Sequence, residues 1–300
     1  MSFSSQVKTE LARLVPERAC CTAAMTYGLL ECGRAFSAAE VSLKTESAAI
    51  ANLYQTLVTQ TCGLEVDACA DTLLSSGTHK VTVDCPADRV HVLERFGHSP
   101  VDVFLRLNRS NLDCDSCPAA FLRGAFLSCG TVSDPRADYH LEFSIPYHRL
   151  SRDLWALMLE MELGVRLARR KGYNVLYLKD SGQIEDCLTL MGAVGAALEI
   201  MNIKILKDVR NTANRVTNCE NANIDKTVAA ALTQSAAINR LAVSGGLDSL
   251  PDELREVAML RLENPEMSLR ELGEQLSPPL TRSGVNHRLQ KIMELAGKLL

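Results

Sequence analysis

The chain has 300 residues, 47% of them hydrophobic and 23% charged, with a formal net charge of −4. That is enough apolar material for two or three globular domains with cores of their own. The acidic balance argues against a histone-like binder, though not against a local basic face, and no run of eighteen apolar residues offers a membrane span.

The opening "MSFSSQVKTELARLVPERAC" is charged from Lys8 on and has no apolar core, so it does not read as a secretory signal, and a cytoplasmic protein is expected. In a reducing compartment the eleven cysteines are expected as free thiols. Cys20-Cys21 and Cys114-x-x-Cys117 raise the question of zinc. A structural site usually shows two spaced pairs, and one CxxC with one adjacent pair falls short of that. Small buried thiols are expected, with no metal and no cofactor.

A helical pattern runs from about residue 17 through "CCTAAMTYGLLECG", and "RAFSAAEVSLKTE" reads as two short strands. "SAAIANLYQTLVTQTCG" is helical, with Ile50, Leu53, Leu57 and Val58 on one face. Strands "LEVDACA" and "HKVTVD" and a helix near "ADRVHVLERFG" follow. From Pro118 the order repeats: helix "AAFLRGAFLSCG", two strands around Asp134-Pro135, helix "HRLSRDLWALMLEMELG", a hairpin turning at Lys171-Gly172, and a closing helix "IEDCLTLMGAVGAALEI". Ala23-Ala24 matches Ala119-Ala120, and "ECG" matches "SCG". A duplication is therefore expected, with lobes at 1–110 and 111–207 and "NRSNLDCDSCP" as connector. Residues 208–249 read as a helical linker containing "ENANIDKTVAAALTQSAAINRLA". Residues 250–300 read as a separate helical domain.

Gly28, Cys32 and Gly33 on one helix, and Gly124, Ala125, Ser128 and Gly130 on the other, would let two helices cross closely. "TYGLLECG" and "LRGAFLSCG" resemble the paired motifs of LAGLIDADG homing endonucleases. The resemblance implies two lobes about a pseudo-twofold axis, a saddle-shaped sheet over DNA, and a metal-binding acid at the penultimate position of each motif. Here that position is Cys129 in the second helix and, depending on register, Cys32 or Gly33 in the first. Glu31 is near but has no acidic counterpart. A neutral thiol is a poor Mg²⁺ ligand, so no catalytic residue is expected.

The C-terminal segment reads as a helix-turn-helix. Leu254, Val257, Ala258 and Leu262 form one apolar stripe. Ser268 and Glu271 have capping-box spacing; Leu269, Leu272 and Leu276 would face inward, and Gly273 would admit another helix. "SPPL" breaks the chain. In the last helix Val285, Leu289, Ile292 and Ala296 share one side. Ser283, His287, Gln290 and Lys291 point away, Asn286 flanks them, and Arg282 and Arg288 edge the stripe. From Thr281 to Leu300 there are four basic residues against one acidic. Such a helix would enter the major groove. The expected contacts are Ser268, Thr281, Arg282, Ser283, Asn286, His287, Arg288, Gln290 and Lys291.

"LPDELREVAMLRLENPEMSLRELGEQLSPPLTRSGVNHRLQKI" resembles the C-terminal domain of the WhiA family, and "RNTANRVTNCENANIDKT" and "RGAFLSCGTVSDPRADYHLEF" resemble other segments of it. The resemblance implies an α+β, two-lobed LAGLIDADG homing-endonuclease-like domain followed by an all-α helix-turn-helix domain. It also implies a bacterial transcription regulator associated with cell division, chromosome segregation and, in sporulating bacteria, sporulation. Double-stranded DNA is the expected partner, with other transcription regulators or RNA polymerase as candidates, and the expected place is the nucleoid. The basic run Arg166, Arg169, Arg170 and Lys171 would track phosphates or form a solvated hairpin turn; strand alternation sets Arg166 and Arg170 opposite Arg169. A metal-dependent nuclease and a protein-interaction scaffold stand as the other readings.

Overall fold

The computed structural model describes residues 2–298. Leu299 and Leu300, the last positions of the expected 250–300 domain, lie outside the described residues. The described chain divides into two compact units that meet between Lys207 and Asp208.

The first ten-residue helix, α1 (Phe3–Ala12), precedes the point where sequence periodicity becomes visible. Ser2 caps it by accepting from the Ser5 N–H, and Phe3, Val7 and Leu11 form its buried stripe. Three apolar residues are too short a pattern to stand out in the sequence.

The first lobe then runs α2 (Ala19–Glu31), β1 (Ala35–Phe36), β2 (Val41–Thr45), α3 (Ala48–Cys62), β3 (Cys69–Leu73), β4 (His79–Val83) and α4 (Pro86–Arg95). The second runs α5 (Cys117–Cys129), β5 (Gly130–Val132), β6 (Leu141–Ile145), α6 (His148–Glu160), β7 (Arg166–Arg170), β8 (Tyr173–Leu178) and α7 (Ser181–Met191). Each lobe has an antiparallel four-stranded sheet, ordered β1-β2-β4-β3 and β5-β6-β8-β7. The identical strand order repeats the duplication at the level of topology. Val41, Leu43, Val81 and Val83 bury one face of the first sheet; Leu141, Phe143, Ile145, Leu176 and Leu178 bury the matching face of the second. Helices cover those faces and leave the others open. Lys171 and Gly172 close the β7–β8 hairpin with φ of 47° and 86°, the paired positive values of a tight two-residue turn.

Three element boundaries differ from expectation. β3 begins at Cys69, because residues before it turn, with Ala68 N–H donating to the Glu65 carbonyl (3.1 Å). The expected closing helix is broken at Gly192, whose φ of 97° ends α7. A second helix, α8 (Val194–Val243), then runs without interruption through the expected linker. The asparagines between 211 and 223 are weak helix formers, but no Gly or Pro stands between 196 and 244 to stop the helix. Glu10 of α1 caps α8, its carboxylate accepting from the N–H groups of Gly195 (2.7 Å) and Ala196 (3.1 Å).

In the second unit the end of α8 (Ala237, Ile238, Leu241) packs with α9 (Asp252–Glu263), α10 (Leu269–Gln275) and α11 (Arg282–Gly297) around one apolar core. The architecture is α+β in the first unit and all-α in the second. No helix among the described residues is long and apolar enough to cross a membrane.

Candidate nucleic-acid interface

α2 and α5 cross backbone to backbone. A Cβ on Gly28 would strike the Phe121 carbonyl and stand 3.0 Å from the Ala125 nitrogen. One on Gly124 would strike the Met25 carbonyl and stand 2.8 Å from the Leu29 nitrogen. The crossing is symmetric: Gly28 answers to Gly124, Met25 to Phe121 and Leu29 to Ala125, each 96 positions on, like Cys21 and Cys117. That offset carries Gly33 onto Cys129 and Cys32 onto Ser128, which settles the register. The match of "ECG" to "SCG" is one residue out of step.

At the far ends of these helices the matching positions hold Gly33 and Cys129. Cys32 is buried and meets the Cys129 thiol, which together with burial pushes the Cys32 thiol well up. α1 adds a cation that sequence reading does not find: Lys8 Nζ donates to the Leu127 carbonyl at the C-terminal end of α5 (3.2 Å), where the helix dipole favours positive charge. Burial lowers the Lys8 pKa, while the proximity of Cys129 and Glu46 opposes that shift. An ammonium group beside a thiol is a poor setting for a hard divalent ion.

Glu31 is sealed off from this end. It is fully buried, accepts from Tyr27 Oη (2.8 Å) and lies 3.6 Å from His98 Nε2, while Tyr27 Oη and His98 Nε2 are 2.9 Å apart. Burial raises the Glu31 pKa and lowers that of His98, so both favour their uncharged forms. A carboxyl that binds its proton more tightly when folded makes stability fall as pH rises above the unfolded value of about 4.3. Glu31→Gln keeps an acceptor for Tyr27 and removes the titration. Denaturant unfolding at a series of pH values is expected to show the parent losing stability relative to the variant as pH rises above about 4.3, with His98 contributing equally to both; parallel profiles would refute this account of Glu31.

The open sheet faces carry the basic residues. Register sets Lys80 between Lys44 and Thr72, and Ser42 beside Thr82, on the face of the first sheet opposite Val41 and Leu43. In the second sheet Arg166 lies beside Tyr177, whose other neighbour is Glu142, and Arg170 lies beside Tyr173, on the corresponding face. Arg169, paired with Asn174, has the other parity, and exposed Lys171 sits at the hairpin turn. Arg169 thus stands apart from Arg166 and Arg170, as strand alternation leads one to expect, and Lys44 and Lys80, which no local motif marks, share the open side with Arg166 and Arg170. Acids temper this surface: Lys80 pairs with Glu40 (2.9 Å) and Arg170 with Glu142 (3.9 Å).

In the second unit, Val285, Leu289, Ile292 and Ala296 of α11 are buried, and Arg282, Ser283, His287, Gln290 and Lys291 are exposed, with Asn286 half-buried. Thr281 caps α11 by accepting from the Gly284 N–H (3.3 Å). Ser268 and Glu271 form the capping box, Ser268 Oγ accepting from Glu271 N–H (3.3 Å) and Glu271 Oε2 from Ser268 N–H (2.7 Å). Gly273 does admit a close neighbour, but it is the backbone of the turn: a Cβ would strike the Leu280 carbonyl. The Leu280 N–H donates back to the Gly273 carbonyl (2.9 Å), locking α10 to the turn before α11.

Arg288 requires a correction. Its guanidinium donates to Glu253 Oε2 of α9 (2.9 Å), and its side chain is 22% exposed. It clamps α9 to α11 rather than standing free for DNA. Arg261 is likewise invisible to sequence reading. It is 1% exposed, and its Nη1 donates to the carbonyls of Met267 (2.7 Å) and Pro265 (3.3 Å), holding the loop between α9 and α10. It joins Leu254, Val257 and Ala258 in the buried stripe, with Leu262 packed at the edge, an arginine stem packing as a hydrophobe.

The structure also brings Cys20, Cys21, Cys114 and Cys117 together, against the expectation of separate buried thiols. The duplication sets the starts of α2 and α5 side by side, so an adjacent pair and a CxxC far away in sequence converge. Hydrogen bonding by Cys117 and the Ser116 backbone holds the Cys114 thiol down to about 6, and burial pushes Cys21 up to about 12.

Comparison with known proteins agrees with this architecture. Residues 118–210 match the WhiA LAGLIDADG-like domain, and residues 213–296 match the WhiA C-terminal HTH domain. A probable cell division protein WhiA of Desulforudis audaxviator is 40% identical, over 100% of this chain and 98% of its own length. Those of Alkaliphilus oremlandii and Carboxydothermus hydrogenoformans are 38% and 36% identical with the same coverage. The crystal structure of full-length "DUF199/WhiA from Thermatoga maritima" aligns with a TM-score of 0.62 and 23% identity over 99% of both chains, a likeness of fold. The fold is a two-lobed LAGLIDADG-like domain followed by a helix-turn-helix domain.

Proposed function

The chain belongs to the WhiA family, and from that premise we propose that it is a non-enzymatic, sequence-reading DNA-binding regulator acting in cell division. The observation that carries the reading is α11. Its apolar side is fully used in the core, while Arg282, Ser283, His287, Gln290 and Lys291 face outward from a helix whose N-terminus is capped and rigidly joined to α10. Among the described residues Arg282 and Lys291 form no ion pair, so both charges are available to phosphates or base edges.

In the first unit, Gly33, Cys129 and Lys8 replace the oxygen donors that strand cleavage with Mg²⁺ would use. Its open sheet faces would add sequence-independent affinity through Lys44, Lys80, Arg166 and Arg170. The family resemblance extends the reading to transcription regulation, chromosome segregation and, in sporulating bacteria, sporulation. It also extends to a nucleoid-associated protein in the cytoplasm, with other regulators or RNA polymerase as partners.

Genome-wide mapping of bound sites, followed by titration of the full chain on the recovered fragments with Mg²⁺ or Mn²⁺ present, tests both halves of the proposal. Saturable, salt-sensitive binding with intact DNA is expected. Strand breaks dependent on the metal and on the chain would refute the non-enzymatic reading, and equal affinity for recovered and scrambled fragments would refute the sequence-reading one.

A further inference from the structure

The thiols at the starts of α2 and α5 belong to no part of the DNA-binding account. Cys114 Sγ lies 3.7 Å from that of Cys20, 3.5 Å from Cys21 and 3.4 Å from Cys117, and Cys21 and Cys117 are 3.9 Å apart. All four sulfurs fall within 4.8 Å of one another. Among the described residues this is the one group of three or more metal-ligating side chains that converges in this way.

The spacing is that of a coordination shell. Zinc–sulfur bonds of about 2.3 Å, arranged tetrahedrally, set their sulfurs about 3.8 Å apart. These four separations lie within a few tenths of an ångström of that edge. Thiols are weak donors and acceptors, so hydrogen bonding among themselves gives little reason for four to crowd together. A cage this small fits one ion and not a cluster of several irons.

We propose that Cys20, Cys21, Cys114 and Cys117 form a structural tetrathiolate site for one soft divalent metal ion, zinc, joining the N-terminal ends of the central helix pair. Four protein ligands close the shell and leave no position for water or substrate, which makes the ion a staple and not a catalyst. Thiolate donors select zinc over magnesium and calcium. The excess negative charge of four thiolates around a dication meets the positive ends of two helix dipoles, α2 and α5. Cys21 and Cys117 are buried while Cys20 and Cys114 are half-buried, so the ion has a wet side by which to enter. Two ligands come from the start of α2 in the first lobe, one from the chain leading into the second lobe and one from the first turn of α5, so the ion ties the lobes at the end remote from Gly33 and Cys129.

The test uses the full chain, purified under reducing conditions without chelator. Elemental analysis is expected to find one zinc per chain. After removal of the zinc, titration with Co²⁺ is expected to give the intense sulfur-to-metal and ligand-field bands of tetrahedral thiolate cobalt, saturating at one equivalent. Cys117→Ser is expected to bind zinc roughly 100-fold more weakly, the affinity equivalent of losing a quarter of a structural zinc site. Exposed Cys85 and Cys219 serve as controls, and Cys85→Ser and Cys219→Ser are expected to bind as the parent does. Because Cys117→Ser could also disturb folding, the cobalt spectrum of the unsubstituted chain is decisive by itself. Failure of the reduced chain to take up either metal, an octahedral cobalt spectrum, iron in place of zinc, or equal zinc affinity in a folded Cys117→Ser chain would each overturn the site.

Discussion

Gly28→Ala and Gly124→Ala are each expected to destabilise the first unit by about 3 kcal/mol or more, although alanine at an ordinary helical glycine stabilises by about 1 kcal/mol. The reversal of sign follows from what the new methyl group meets. At both positions it would strike a carbonyl of the partner helix, and the backbone nitrogen one turn further on blocks its other side. Side chains can rotate away from such a clash, but the main chain of a packed helix cannot. In thermal unfolding, the first unit's Tm is expected to fall by roughly 6–12 °C for either variant. Gly297→Ala is the control: a Cβ there has nothing within 4 Å, and no loss is expected. Unchanged melting in Gly28→Ala or Gly124→Ala would mean that the helix crossing is looser than described.

The second large effect concerns α11. Arg282→Ala with Lys291→Ala removes two exposed charges that have no ion-pair partner among the described residues. Binding is expected to weaken on all DNA, and the slope of log affinity against log salt to fall by roughly 1.8, about 0.9 for each phosphate no longer neutralised. Gln290→Ala acts differently. An amide that reads adenine contributes about 1–3 kcal/mol of discrimination, so its loss is expected to weaken the preferred fragment while sparing scrambled DNA. Fluorescence anisotropy across a salt series measures both effects. Equal weakening of preferred and scrambled DNA by Gln290→Ala would place Gln290 on the phosphates. An unchanged salt slope in the double variant would remove Arg282 and Lys291 from the interface. Arg288→Ala is not equivalent, since it breaks the pair with Glu253 and its effect on DNA binding would be mixed with loosened packing of α9.

Regular patterns are legible in the sequence itself. The duplicated order of elements, the Lys171-Gly172 turn, the capping box at Ser268 and the buried face of α11 each depend on neighbours a few residues apart, so a linear reading finds them. What stays hidden depends on distant partners. The register of the two central helices is set by Gly28 and Gly124 meeting carbonyls across the crossing, and short identities such as "ECG" and "SCG" misalign it. Lys8 acquires its meaning from Leu127, and Arg288 from Glu253. Cys20 and Cys114 lie 94 positions apart, and no local spacing rule connects them. α8 departs from expectation for another reason: its asparagine-rich middle has low helix propensity, yet nothing in it forbids the helix.

Lys8 also bears on what a carboxylate at this end of the helix pair would do. An aspartate installed at Cys129 would find an ammonium group already at hand on the Leu127 carbonyl, and would be neutralised by it before any dication arrived. Assembling a Mg²⁺ site there would need carboxylates on both central helices and the simultaneous retreat of a cation contributed by a third. A single carboxylate placed at that end of the helix pair would thus be held in an ion pair and not offered to a metal.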